Sequence, residues 1–398
     1  MRILLVYPKY PNTFWSFKHA LSFISKKAAF PPLGLLTVAS MLPEAWEKKL
    51  IDMNVNRLSD KDIEWADYVF ISGMVVQRQS AKEVIKKCNK LKTKVVAGGP
   101  LFTEEPDEFE GIDHYVLNEG EVTLPMFLAD LETGTLKPRY TSMIKPDISS
   151  TPIPMWDLLD IQNYVSMSIQ YSRGCPFDCE FCDITVLNGR IPRTKTKEQV
   201  LAELETLYKR GWRDNVFVVD DNFIGNKRKL KSEIIPAITR WMLERNFPFS
   251  LFTEVSINLA DDEVLMDMMA KANFNTVFIG IESPNEDSLL ECGKSHNRNR
   301  DLIDSVHKIQ NHGFQVHGGF ILGFDSDPQS IFDIQIDFIQ RSGIVTAMVG
   351  LLNAPVSTKL YKRLEKENRL IENFSGDNTD FSMNFVPKMK HEELVEGY

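Results

Sequence analysis

The chain has 398 residues, 43% hydrophobic and 25% charged, the balance of an ordinary soluble globular protein with room for two or three domains. A formal net charge of −9 argues against nucleic acid as the main partner, because phosphate binding wants a basic face. Met1-Arg2 runs straight into Ile3-Leu4-Leu5-Val6, too short for a signal core or a membrane span, and the apolar stretch from Ala28 to Leu42 is broken by Pro31-Pro32 and Gly34; the expectation is a cytoplasmic protein with no membrane span.

Residues 1–135 alternate strands and helices. Strands are expected at Ile3–Tyr7, Lys49–Asn54, Tyr68–Ser72, Lys94–Gly98 and His114–Leu117, and helices at Pro32–Leu42, Ser80–Leu91 and Val122–Leu131. Continuous Val/Ile/Leu strands separated by helices predict a parallel sheet covered on both faces, a doubly wound Rossmann-like domain. Ligands of such sheets bind beyond the carboxyl ends of the strands. The loops there are Tyr7-Pro8-Lys9, Gly73-Met74-Val75-Val76-Gln77, Gly98-Gly99-Pro100 and Asn118-Glu119-Gly120-Glu121. Each glycine taken singly reads as a turn residue, and no G-x-G-x-x-G opens the first helix, so a dinucleotide is not indicated.

Residues 136–165 read as a linker, with Pro138, Pro146, Pro152 and Pro154 spread through it. Trp156 reads as packing rather than as a ligand. From residue 166 to 355 the rhythm resumes. Strands are expected at Met167–Tyr171, Asn215–Asp220, Phe249–Glu254, Thr276–Ile281, Gln315–Leu322 and Val345–Leu352. Helices follow at Lys197–Arg210 (capped by Thr196), Lys227–Arg245, Asp261–Lys271, Asn299–His312 and Pro328–Arg341. Six β/α units predict a partial TIM barrel, an α/β fold whose chemistry collects at the carboxyl ends of the strands. Asp220-Asp221-Asn222, Glu254 and Glu282 fall at those ends, and Asp325 follows the fifth strand. Strand-end acids are also common helix caps. Residues 356–398 read as the start of a further C-terminal region, with a helix at Ser357–Arg369 and a polar loop from Asn373 to Asp380.

The densest chemistry lies in Tyr171-Ser172-Arg173-Gly174-Cys175-Pro176-Phe177-Asp178-Cys179-Glu180-Phe181-Cys182-Asp183. Three of the five cysteines form C-x3-C-x2-C in a loop that Arg173-Gly174 and Pro176 break from the preceding strand. Clustered thiolates suit a soft iron–sulfur centre. Three ligands leave one iron of a 4Fe-4S cube without a protein donor, whereas an electron carrier closes all four corners. S-Adenosylmethionine (SAM) chelates such an iron through its amino and carboxylate groups. A structural zinc site needs a fourth ligand; Asp183 is adjacent, but no histidine lies within thirty residues on either side. An odd cysteine count fits disulfides poorly, and the isolated Cys88 and Cys292 read as small buried hydrophobes.

At these residues the loop resembles the signature of the radical SAM superfamily, in which the aromatic before the last cysteine, here Phe181, packs near the adenine. The resemblance implies a 4Fe-4S cluster on Cys175, Cys179 and Cys182. It implies SAM contacts from Asp221 and Asn222 to the amino group, and from Glu254 and Glu282 to the nucleoside. Gly319-x-Ile321-x-Gly323-x-Asp325 looks like the strand that supports the adenine, although the family often has glutamate where Asp325 stands. The loops of the first domain, with Pro31-Pro32-Leu33-Gly34-Leu35-Leu36, resemble the cobalamin-binding domain that precedes the barrel in one large branch. Cobalamin contacts are thereby implied at Tyr7, Pro8, Met74, Val75, Gln77, Gly98, Gly99, Pro100, Asn118, Glu119, Gly120 and Glu121. The D-x-H-x-x-G loop that supplies a lower cobalt ligand in many such domains is missing, and His19 and His114 lack its context. Cobalamin is therefore expected without a histidine lower ligand. The wider pattern, including Phe14-Trp15-Ser16-Phe17 and Phe223-Ile224-Gly225-Asn226, is nearest to the hopanoid C-2 methylase group.

The activity implied by this resemblance is that of a methyltransferase acting on an unactivated carbon through a 5′-deoxyadenosyl radical and methylcobalamin. Alternatives are a non-methylating rearrangement, cyclisation or oxidation, an iron–sulfur electron carrier or redox sensor, and a zinc-stabilised binding module. No catalytic acid–base pair is assigned; His296, His307, His312 and His317 read as structural. The implied partners are a small-molecule substrate, apolar or lipid-like, and an external electron donor of flavodoxin or ferredoxin type.

Overall fold

The structure, a computed structural model, describes every residue except 14–15, 372–374 and 378. The segment Phe14-Trp15-Ser16-Phe17 and the loop expected over Asn373–Asp380 thus lie partly outside the described residues. The chain divides into two compact units, Met1–Ser168 and Ile169–Tyr398.

The first unit is built on β1 (Arg2–Tyr7), β2 (Glu47–Asp52), β3 (Tyr68–Ser72), β4 (Lys94–Gly98), β5 (His114–Val116) and β6 (Arg139–Tyr140). They form one sheet in the order β2-β1-β3-β4-β5-β6, parallel throughout. Ile3 to Val6 are wholly buried, as a strand covered on both faces requires. The helix Leu33–Met41 buries Leu35, Leu36 and Ala39, and the helix Arg78–Lys90 buries Ala81, Val84, Ile85 and Cys88. Strand order reverses direction between β1 and β3, which makes their carboxyl ends the crevice of this doubly wound sheet.

Residues 136–165, read from sequence as a linker, pack within this first unit. β6 adds a sixth strand: Tyr115 N–H donates to Pro138 O at 2.8 Å and Leu117 N–H to Tyr140 O at 2.9 Å. The unpaired edge of β5 supplies the physical reason, because an open ladder takes any extended neighbour. Farther on, Met155 N–H donates to Leu36 O (3.0 Å), Trp156 is fully buried, and Tyr164 OH donates to the buried Asp52 at 3.1 Å.

The second sheet comprises β7 (Met167–Ile169), β10 (Asn215–Val218), β11 (Ser250–Val255), β12 (Phe274–Glu282), β13 (Gln315–Leu322) and β14 (Thr346–Leu351). Between β7 and β10 lies a short antiparallel pair, β8 (Ser172–Arg173) with β9 (Arg193–Thr194). The six-stranded order β14-β13-β12-β11-β10-β7 never doubles back, and the pairings from β10 to β14 are parallel. One-way winding of β/α units is the partial barrel. On β11, Leu251, Thr253 and Val255 are buried while Ser250, Phe252 and Glu254 are part exposed, so Glu254 stands on the less covered face.

Thr196 caps the helix Lys197–Lys209 as expected, its Oγ1 accepting from Gln199 N–H. The expected helix Lys227–Arg245 forms without a gap from Lys227 to Glu244, but winds as a π-helix over Leu230–Ile234. Pro236 explains the wider turn, since its ring blocks the i−4 carbonyl and removes one ladder donor. Residues 356–398 join the barrel's core: Leu360, Leu364, Met383, Phe385 and Leu394 pack with Leu322, Phe324, Ile331, Leu351, Leu352 and Ala354.

Candidate active site

Cys175, Cys179 and Cys182 sit in the loop after β8, each part buried and with a free thiol. Gly174 turns the chain into that loop at φ +95. A side chain there would meet the carbonyls of Gly189, Ile191 and Asn188 at 2.9–3.2 Å, so glycine is required by close approach as well as by φ. The loop is tied down by backbone bonds, Cys175 N–H to Gly189 O (3.2 Å) and Glu180 N–H to Cys292 O (2.8 Å). Burial pushes all three thiols up, so ionising them calls for a nearby positive charge or a metal. Lys294 supplies one such charge, acting on each of the three. Among the described residues no group of three His, Cys, Asp or Glu is placed to hold one metal ion. A zinc ion draws its ligands to about 2.0–2.3 Å, whereas a cube gives each thiolate a different iron. Three half-buried soft donors with neighbouring positive charge suit the cube.

The strand-end acids do different jobs. Asp220 is buried and accepts from Tyr171 N–H (2.8 Å) and Ser172 Oγ–H (2.5 Å); burial pushes its carboxyl up to about 7. Asp221 accepts from Gly174 N–H at 3.0 Å and Asn188 Nδ2–H at 3.1 Å, which fixes the entry to the cysteine loop. Asn222 is buried, its Nδ2 donating to Ser256 Oγ (3.2 Å) and lying 3.9 Å from Cys175 Sγ. Glu254 accepts no hydrogen bond from any described residue, and burial, reinforced by Asp221 and Asp220, pushes it up to about 7. It is an unmatched carboxyl on the open face of the sheet. Phe181 packs against Phe324, just past the end of β13, with centroids 6.2 Å apart.

Glu282 and Asp325, also expected to contact SAM, each pair with a cation of the chain. Glu282 adopts φ +64 at a register shift between β12 and β13, and its carboxylate is ion-paired with the buried Lys294. Asp325 accepts from Arg369 at 2.6 Å and from Arg363 at 2.9 Å. Burial would raise the Asp325 carboxyl, but the hydrogen bonds of Arg369 and Arg363 outweigh it and hold it at about 2. Lys294, Arg363 and Arg369 carry no local signature in the sequence, because each finds its acid in a distant segment. His296 stacks on Phe177 at 3.6 Å between centroids, and burial pushes its imidazole down to about 3.

In the first unit the expected loops gather at the β1/β3 crevice. Gln77 Nε2–H donates to Pro8 O at 2.5 Å while its Oε1 accepts from Met74 N–H at 2.8 Å. Tyr7 and Tyr10 hydroxyls meet at 2.6 Å, and Met74 is 52% exposed above them. Leu101 N–H donates to Gly73 O (3.1 Å), and Asn118 N–H to Thr103 Oγ1 (3.0 Å). Glu121 accepts from Thr151 at 2.8 Å. A broad edge of amide, hydroxyl and bare glycine backbone suits a flat macrocycle fringed with amides. His114 lies at the amino end of β5, away from this edge, bonded to Lys137 O at 2.8 Å.

Comparison with known proteins agrees on both units. Residues 169–334 match the Radical SAM superfamily, 24–128 the B12 binding domain, and 358–398 a domain of unknown function. The hopanoid C-2 methylase of Rhodopseudomonas palustris is 35% identical over 99% of this chain and 75% of its own length. The chain belongs to the cobalamin-binding radical SAM family. An uncharacterized methyltransferase of Synechocystis is 46% identical over the whole chain and 75% of the relative. In fold, the family likeness extends to the methyltransferase TsrM from Kitasatospora setae, with TM-score 0.73 at 16% identity over 94% of this chain and 77% of that one. The family's cofactors are a 4Fe-4S cluster, SAM and cobalamin. No helix among the described residues is long and apolar enough to cross a membrane.

Proposed function

We propose that this chain methylates an unactivated carbon of an apolar, lipid-like small molecule. The observation that carries the reading is the three-thiol loop at the carboxyl edge of a β/α barrel, in a chain that also holds a cobalamin-binding unit and is 35% identical to a hopanoid C-2 methylase. Together the cofactors supply a 5′-deoxyadenosyl radical and a transferable methyl group; the protein binds, orients and excludes water.

Cys175, Cys179 and Cys182 would hold the cube, and Asn222 would donate toward the Cys175 sulfur. Glu254, with no hydrogen-bond partner among the described residues, would accept from the ribose hydroxyls or face the cationic amino acid of SAM. Phe181 would cover the adenine. Asp221, Glu282 and Asp325 would hold this frame through their protein partners. Tyr7, Pro8, Met74, Val75, Gln77 and the Gly98-Gly99-Pro100 and Asn118–Glu121 loops would line the corrin, with no histidine beneath cobalt. A nitrogen donor in the electron spin resonance spectrum of the Co(II) form would contradict the last point. Free cysteines and an oxygen-sensitive cube suit a reducing cytoplasm, with a flavodoxin or ferredoxin as electron donor.

Anaerobic reconstitution with cobalamin, SAM and reductant tests the reading. The expected products are 5′-deoxyadenosine and S-adenosylhomocysteine, two SAM per methylated substrate, and C179A abolishes the first product. Wild-type protein that forms a cube and yields no 5′-deoxyadenosine would be an electron carrier or sensor. Formation of 5′-deoxyadenosine without methyl gain would leave a rearrangement or oxidation.

A further inference from the structure

We infer that Arg363, in the segment matching a domain of unknown function, is a positioning residue for the cysteine loop and sets the charge around its cluster. The inference rests on the iron–sulfur part of the proposed function. Glu180 lies between Cys179 and Cys182 in the chain and is held at three points. Its N–H donates to Cys292 O at 2.8 Å, its carbonyl accepts from Leu360 N–H at 3.0 Å, and its carboxylate accepts from Arg363 Nε–H at 2.5 Å. The same guanidinium reaches Asp325 at 2.9 Å and Glu291 at 3.3 Å. Glu291 in turn accepts from Asp325 N–H and Ser326 N–H at 3.1 and 2.7 Å. One helical turn earlier, Lys359 donates to Asp178, on the other side of Cys179, at 2.5 Å.

Arg363 therefore joins four elements: the cysteine loop, the helix Glu286–Glu291, the turn after β13 and its own helix Lys359–Lys366. Its planar fork serves several carboxylates at once, which an ammonium does not match. The charge count has a consequence for the cluster. Without Arg363, Glu180, Glu291 and Asp325 keep their negative charges near the loop with less compensation. Reduction adds another negative charge to the cube, so excess negative charge makes reduction harder.

Two measurements on the full chain test this. In a redox titration of the reconstituted cluster, R363M is expected to lower the reduced-to-oxidised ratio about tenfold at the wild-type midpoint, about 59 mV for a one-electron couple. E180Q removes a negative charge and is expected to shift the midpoint the opposite way. R363K keeps the charge and is expected to restore the potential. In hydrogen exchange on apo protein, residues 175–183 are expected to exchange at least tenfold faster in R363M, and R363K to recover only part of the protection. Shifts of the same sign in R363M and E180Q would reduce Arg363 to a general packing role. An R363M protein with wild-type potential and wild-type exchange would overturn the inference. If R363M does not fold, E180Q and R363K carry the same tests. If the wild type assembles no cube, the radical SAM reading falls, while exchange in the apo protein still decides whether Arg363 positions the loop.

Discussion

Glu254 and Asp325 show how the strand ends of one sheet give one functional group opposite characters. Glu254 lies on the less covered face of β11 with no donor among the described residues; desolvation disfavours its charged form and its pKa rises to about 7. A carboxyl raised in the folded state binds protons more readily than in the unfolded chain, so its contribution to stability falls as pH rises from about 4.5 to 7. E254Q is expected to flatten that slope and to stabilise apo protein at pH 8 by about 1 kcal/mol, read by chemical denaturation. If Glu254 faces SAM, the same variant weakens SAM binding at pH 8 in a titration. Asp325 runs the other way. Its pKa lies near 2, below its ordinary 3.8, so its stabilisation is present at neutral pH and is lost as pH falls through that window. D325N is expected to cost about 2 kcal/mol at pH 7, less than a fully buried pair because Arg363 is 30% exposed. Wild-type stability in D325N at pH 7 would show that the arginines find other partners.

At the scale of elements, one strand end is fixed by close approach and another by an ion pair. A Cβ on Gly98 would stand 2.5 Å from Val116 O, against the backbone of β5. G98A must push β4 and β5 apart at their carboxyl ends and is expected to cost about 1–3 kcal/mol. Cobalamin retention after gel filtration should fall while the iron content of the second unit stays unchanged. Retained cobalamin would mean that this edge does not serve the corrin. On β12, the left-handed Glu282 is kept in place by Lys294, both buried. K294M leaves that carboxylate without its counter-charge, an expected loss of about 3 kcal/mol, and E282Q/K294M should recover part of it. Additive losses in the double variant would contradict the pairing.

Across the whole molecule each unit has a core of its own among the described residues, one around β1, β3 and β4 and one around the ends of β13 and β14 with the C-terminal segment. Calorimetry of apo protein should therefore depart from a single two-state transition. Cobalamin at a hundredfold excess over its dissociation constant should stabilise only the first unit, by about 2.7 kcal/mol. One transition raised equally by cobalamin and by cluster reconstitution would argue against independent units.

How much of the fold and site is legible in the sequence depends on range along the chain. The three clustered cysteines lie within eight residues, so spacing alone displays the group. Strand periodicity and helix caps are equally local, which is why the α/β rhythm, Thr196 and most strand ends can be read directly. The π-helical turn requires weighing Pro236 against a strong amphipathic pattern. Residues 136–165 have no periodicity of their own; they take their strand from the open edge of β5. The pairs Glu282–Lys294 and Glu180–Arg363 are 12 and 183 residues apart. An acid at a strand end looks the same in sequence whether it awaits a ligand or already has a cation. Folding separates those cases, because it places the counter-charge and removes the water, and so leaves Glu254 unmatched while Asp325 is held by two arginines.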